Sequence, residues 1–218
     1  MVIDLHSHTI ASDGSLLPAE AARQAEVRGY RALALTDHAD YSNLDRLVEE
    51  ARRLCRKLSA PSGLILLAGV EITHVPPALI PEIIGLSRKL GARPVVVHGE
   101  TVVEPVRPGT NRAAIEGGAD ILAHPGLVSD EDCRLAAERG VFFELTSRRG
   151  HCLTNGHVAR KAREFGVPLL VDSDAHSADD LLTPELWKKV GLGAGLSESE
   201  WADVERDSLG LLERLARS

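Results

Sequence analysis

At 218 residues, 44% of them hydrophobic and 26% charged, the chain is long and apolar enough to bury a core of its own. A formal net charge of −7 and an aromatic content of 3% argue against general binding of a nucleic-acid strand by phosphate neutralisation or base stacking. No apolar run approaches a membrane span, MVIDLHSHT lacks the order of a signal peptide, and Cys55, Cys133 and Cys152 make no disulfide framework, so a cytoplasmic protein with no membrane partner is expected.

The first β-like run, VIDLHSH, ends in His6 and His8. Residues i and i+2 of a strand share a face, so the two imidazoles converge on one small volume. A lone HxH is often structural, but two buried imidazoles on one face need a shared partner, and a metal ion is the obvious one. Asp13 follows in an SDG turn, Pro18 suits the first turn of a helix, and Gly29 closes that helix. The second run, RALALTDH, ends in Asp37 and His38. Leu44, Leu47, Val48, Ala51, Leu54, Cys55 and Leu58 then follow the spacing of one buried helix face.

LILLAGVEIT is nearly continuous in apolar residues, as strands covered on both sides are, and it carries Glu71. RPVVVHGE ends in His98 and ADILAHPG in His124. VFFELTS leads into a loop with Arg148, Arg149 and His151. PLLVDSDAH repeats the i, i+2 geometry of the first run with Asp174 and His176. Ser197 and Glu200 read as a capping box opening a last helix that holds Leu209, Leu212 and Leu215. Seven β-like runs alternating with helices, and no linker between them, predict a single α/β domain over 1–218. Every run carries polar residues at its C-terminal end, which favours a seven-stranded (β/α)7 TIM-like barrel over an open sheet with one switch point. There is no GxGxxG and no GxxxxGK[ST] to cradle a nucleotide.

Nine ligand-type residues gather at those ends: His6, His8, Asp13, His38, Glu71, His98, His124, Asp174 and His176. In a closed barrel the first and seventh strands are neighbours, so four of these ligands meet. Nine exceed what one ion takes; four per ion, with a bridging carboxylate and a bridging water, points to three. The mixed nitrogen and oxygen set suits zinc, manganese or iron. Asp4 and Asp37 are expected just outside, accepting imidazole N–H groups. Clustered metals generate a hydroxide near neutral pH and neutralise charge on a phosphoryl oxygen, which favours an anionic substrate.

DLHSHTIASDG, TDH, GVEIT, VVVHGE, AHPG and SDAH together resemble the PHP (polymerase and histidinol phosphatase) family over about residues 1–190. The resemblance implies a distorted seven-stranded barrel with a trinuclear centre that hydrolyses phosphoesters. Carried over residue by residue, His6, His8, Glu71 and Asp174 would hold one metal. Glu71 would bridge to a second, held also by His98 and His124, and Asp13, His38 and His176 would hold a third. Some relatives have histidine where Asp13 stands.

The expected function is therefore hydrolysis of a small phosphomonoester, as by a histidinol phosphatase, through a metal-bridged hydroxide and with no protein nucleophile. Two or three divalent ions are the expected cofactors, and Arg148, Arg149 and His151 the candidates for substrate binding. Arg107 and Arg112 are weaker candidates, and His74 and His157 are read as surface residues. The alternatives are a nucleotide or oligonucleotide phosphodiesterase acting like an exonuclease, with a short oligonucleotide the one nucleic-acid partner admitted, and a non-catalytic, metal-bound regulatory domain. An amidohydrolase-type barrel also opens with HxH, but no lysine stands at the end of the fourth strand to bridge metals.

Overall fold

The computed structural model describes residues 1–217; Ser218, the end of the domain expected over 1–218, lies outside the described residues. The first run forms β1 (Ile3–Asp4). The second is two pieces, β2 (Ala32–Leu35) and β3 (His38–Ala39), and the third likewise β4 (Ile65–Ala68) and β5 (Val70–Ile72). β6 (Val95–His98), β7 (Ile121–Ala123), β8 (Phe142–Thr146) and β9 (Leu169–Asp172) follow. Helices connect them: α1 (Pro18–Val27), α2 (Leu44–Ser62), α3 (Ile80–Leu90), α4 (Thr110–Gly117), α5 (Asp130–Arg139) and α6 (Asn155–Phe165), with α7 (Pro184–Gly193) and α8 (Glu198–Arg217) after β9.

The seven expected runs are thus present, but as parallel strands in two sheets, ordered β1-β2-β4 and β3-β5-β6-β7-β8-β9. The division is a local bend. Leu35 pairs with Ala68 and His38 with Glu71, so one register runs through the break. Gly69 sits in it, where a Cβ would stand 2.6 Å from the Pro94 carbonyl oxygen and 2.7 Å from the Thr36 methyl. Only glycine allows that approach. β1 and β9 share no ladder; they meet at a parallel bridge between Ser7 and Ala175. There the His8 N–H donates to the Ala175 carbonyl at 2.8 Å and the Asp174 N–H to the His6 carbonyl at 3.0 Å. The fold is TIM-barrel-like and distorted where its first and last runs touch.

Alternation along the strands divides the apolar side chains between two clusters. Leu33, Leu35, Val95, Val97, Leu122, Phe143 and Leu145 face the helices. Ile3, Leu5, Ala32, Ala34, Leu67, Val96, Ile121 and Leu170 pack inward, against Leu211, Leu212 and Leu215 of α8. That helix starts at the expected capping box: the Glu200 carboxylate accepts the Ser197 N–H at 2.7 Å, and the Ser197 hydroxyl accepts the Glu200 N–H at 3.3 Å. Among the described residues no helix is long and apolar enough to cross a membrane.

Candidate metal centre

In four of the runs the inward parity carries through to the polar end, whereas His6, His8 and His124 fall out of step with Ile3, Leu5, Ile121 and Ala123. His38 continues Ala34, Glu71 continues Leu67, His98 continues Val96, and Asp174 continues Leu170. Asp13 arrives from the turn after β1. The Gly14 N–H donates to the Thr9 carbonyl at 2.9 Å, and a Cβ on Gly14 would lie 2.6 Å from the His8 carbonyl oxygen, so glycine lets this turn close down on His8. His124 and Asp174 hold left-handed backbone conformations, with φ of 30° and 51°. Such strain in non-glycine residues persists only where the surroundings impose it, and it concentrates at functional sites.

All nine expected ligands come together. Donor atoms lie within 4.8 Å of one another in four groups: His6, His8 and Glu71; His6, His124 and Asp174; Glu71, His98 and His124; and His8, Asp13, His38 and His176. Glu71 is at the middle. Its Oε1 lies 3.4 Å from His6 Nε2, 3.7 Å from His98 Nδ1 and 3.6 Å from His124 Nε2, while Oε2 lies 2.7 Å from His38 Nδ1 and 3.6 Å from His8 Nε2. Asp174 Oδ1 lies 3.2 Å from His8 Nε2. Asp13 Oδ1 is 3.5 Å from His38 Nε2 and 3.3 Å from His176 Nε2.

Whether these residues suit a cation is testable on atoms that lack partners. His8 Nδ1, Glu71 Oε1 and His98 Nδ1, which face the cluster, are buried without a hydrogen bond. Leaving such groups unsatisfied in the interior costs about 1–3 kcal/mol each. His6 Nε2 and His8 Nε2 stand 3.1 Å apart. Donors on one tetrahedral ion with bonds near 2.0–2.1 Å are separated by about 3.3 Å. The set fits divalent metal.

Without metal, protons take the place of cations. Burial opposes the charge of His6, but Glu144, Glu71 and Asp174 reverse this and raise its pKa well above the usual imidazole value. Burial likewise opposes the charge of His38, yet Glu71 and Asp13 raise its pKa to about 10. Hydrogen bonds from His176 and His38 hold Asp13 far below the ordinary carboxylate range. Metal binding must expel the protons on His6 and His38. Binding is therefore expected to release protons, and apparent affinity to rise with pH at least up to about 10, where His38 gives up its proton. Calorimetric titrations in buffers of different ionisation enthalpy check this; the same heat in every buffer would refute it.

Several expected neighbours have other roles. Asp4 and Asp37 accept no imidazole proton. Asp4 Oδ1 takes the Ser173 N–H at 3.1 Å and the His6 N–H at 3.4 Å. Asp37 takes the Thr9 N–H at 2.7 Å, the Thr9 hydroxyl at 2.8 Å and the Ser12 hydroxyl at 2.7 Å. Both brace backbone brought to them from other strand ends, Asp4 the N–H of Ser173 and Asp37 that of Thr9. The carboxylate on the His6 imidazole is Glu144, 2.6 Å from Nδ1, and the sequence reading missed it. The alternation in FFELT is its one signal: Phe143 and Leu145 face the helices, so Glu144 must face inward.

His151 is buried and stacks on His124, with ring centroids 4.3 Å apart. Arg148 lies 3.6 Å from Asp180, Arg112 is paired with Asp132, and Arg149 is exposed. His157 Nε2 lies 3.1 Å from the Val128 carbonyl oxygen. His74, half exposed at φ 54°, lies 3.6 Å from Glu104, a second acid the sequence reading passed over.

An α/β barrel-like fold with histidines and carboxylates converging at its strand ends is the class defined so far. Among known families, the PHP domain matches residues 4–102. An uncharacterized protein of Methanocaldococcus jannaschii is 50% identical over 202 residues, 92% of this chain and 93% of its own length. A probable phosphatase of Thermoanaerobacter sp. (strain X514) is 30% identical over 229 residues, 91% of this chain and 88% of its own. Among solved structures, a chain of archaeal ribonuclease P determined with mature tRNA superposes with a TM-score of 0.72, covering 97% of this chain and 90% of that one; at 17% identity this is a likeness of fold. The chain belongs to the PHP-domain family.

Proposed function

We propose that the chain is a phosphoester hydrolase acting on a small phosphomonoester of the histidinol phosphate type, at a centre of two or three divalent ions of zinc, manganese or iron. The observation that carries this is Glu71 Oε1, a buried carboxylate oxygen with no hydrogen bond, among nitrogens of His6, His98 and His124. Glu71 would bridge two ions, the first held also by His6, His8 and Asp174 and the second by His98 and His124. Asp13, His38 and His176 would hold a third. Bound divalent ions supply Lewis acidity toward a phosphoryl oxygen and an acidified water.

The chain's own part is orientation. Glu144 holds the His6 ring by Nδ1, Asp4 and Asp37 hold the backbone on either side of His8, and the Asp174 carbonyl accepts from His176 Nδ1 at 2.9 Å. No protein nucleophile is assigned: the Ser7 hydroxyl donates to the Ala34 carbonyl at 2.6 Å and that of Ser12 to Asp37. We read residues 1–218 as one domain, and its three free cysteines suit a reducing cytoplasm.

A second reading, a nucleotide phosphodiesterase, is favoured by Arg107 and Arg149. Both are exposed on strand-end loops and make no ion pair among the described residues, so they could take a further phosphate. Phosphate release from histidinol phosphate, nucleoside monophosphates, 3′,5′-bisphosphates and short oligonucleotides, with manganese or zinc supplied, separates the two. Selective turnover of one small monoester is the expected result. Release from nucleotides alone would replace it with the second reading, and silence with metal bound would leave the regulatory alternative.

A further inference from the structure

Residues 99–109, GETVVEPVRPG, form an arch after β6 whose ends are tied together. The Glu100 N–H donates to Asn111 Oδ1 at 2.9 Å, and the Glu100 carboxylate accepts the N–H groups of Asn111 and Gly109 at 2.9 and 3.0 Å. The arch brings Glu104 back over the strand it came from. Glu104 Oε2 lies 2.8 Å from His98 Nε2, and Oε1 lies 3.3 Å from His151 Nε2. His151 is held on its other side by the Thr101 hydroxyl, 2.9 Å from Nδ1.

This geometry decides which nitrogen of His98 is the donor atom. A carboxylate accepts only, so His98 Nε2 carries the proton in this hydrogen bond. The lone pair of the neutral ring is then on Nδ1, which is buried, unpartnered and 3.7 Å from the equally unpartnered Glu71 Oε1. Two buried lone-pair atoms at that distance need a cation between them.

We propose that Glu104 is a positioning residue of the centre: by accepting the Nε2 proton of His98 it presents His98 Nδ1 to the ion shared with Glu71 and His124. The proposal rests on the reading of the cluster as a metal centre. His74, His98 and Glu104 are also close enough to gather a cation by themselves. That arrangement would need His98 Nε2, which the hydrogen bond to Glu104 already uses, and it would leave Nδ1 orphaned.

Two readouts test it in the full chain. Imidazole ¹H–¹⁵N spectra of the metal-free protein should show His98 as the Nε2–H tautomer, and Glu104→Ala should lose that preference. Zinc titration by equilibrium dialysis should then show one equivalent weakened about 10–100-fold in Glu104→Ala, the others unchanged. Glu104→Gln should keep the tautomer and recover most of the affinity, because the amide oxygen still accepts, and it serves as the probe should the alanine variant fail to fold. An Nδ1–H tautomer in the wild type, with zinc bound, overturns the proposal alone. So does wild-type affinity for every equivalent in Glu104→Ala. A wild-type protein that shows the expected tautomer but takes up no zinc overturns the metal-centre reading, and the proposal with it.

Discussion

Asp174→Asn is expected to lower phosphate release by on the order of 10³-fold and to remove at least one equivalent of bound metal, since the Lewis-acid contribution of such an ion is several kcal/mol and each 1.36 kcal/mol is tenfold in rate. The carboxylate reaches His8 Nε2 at 3.2 Å, His124 Nε2 at 3.7 Å and His6 Nε2 at 3.8 Å, so its charge serves more than one group of donors. Asparagine is the right replacement. It keeps the shape and tolerates the φ of 51°, where alanine would add backbone strain to the loss of charge. Elemental analysis beside a phosphate-release assay checks the outcome. Full turnover with a full metal complement would remove Asp174 from the centre.

Chelation is expected to have the second large effect. Metal that binds only the folded chain stabilises it by about 4 kcal/mol per ion at a thousandfold excess over Kd. For a chain of this size about 2–4 °C of Tm accompanies each kcal/mol, so stripping one such ion should lower Tm by about 8–16 °C. The metal-free protein should nevertheless stay folded, because protons on His6 and His38 offset the charge of Glu71, Glu144 and Asp174. The sign of its pH dependence follows. His38, raised to about 10, contributes stability that is complete below the unfolded value near 6.5 and is lost as pH rises toward 10. Thermal melts across pH 6–10, with and without chelator and with manganese restored, measure both effects. A Tm indifferent to chelation would argue that the cluster holds no ion in the protein as isolated.

The donor set of the proposed centre was legible in the sequence because it is carried by side-chain type and by strand periodicity, both local. The HxH and DxH pairs announce donors on one face, and the polar end of each run announces the end of the barrel that carries the centre. Nine donors drawn from six strand ends and one turn can be read as a set from residue type and spacing, and the structure brings all of them together. The bends in the second and third runs were not legible, since they depend on Thr36 and Pro94 pressing on Gly69 across the sheet.

The supporting shell was beyond the sequence for the same reason. Asp4 and Asp37 adjoin His6 and His38 in the chain and were expected to hold imidazoles, yet each is taken by backbone N–H or hydroxyl groups within reach. The acids that reach the rings are Glu144, 138 residues from His6, and Glu104, returned to His98 by a tied arch. Which residues carry the donors is a matter of composition and spacing, and the sequence determined it. Which acid orients which ring depends on hydrogen bonds of 2.6 and 2.8 Å, one spanning 138 residues and one made by the closing of an arch, and only the tertiary structure sets those distances.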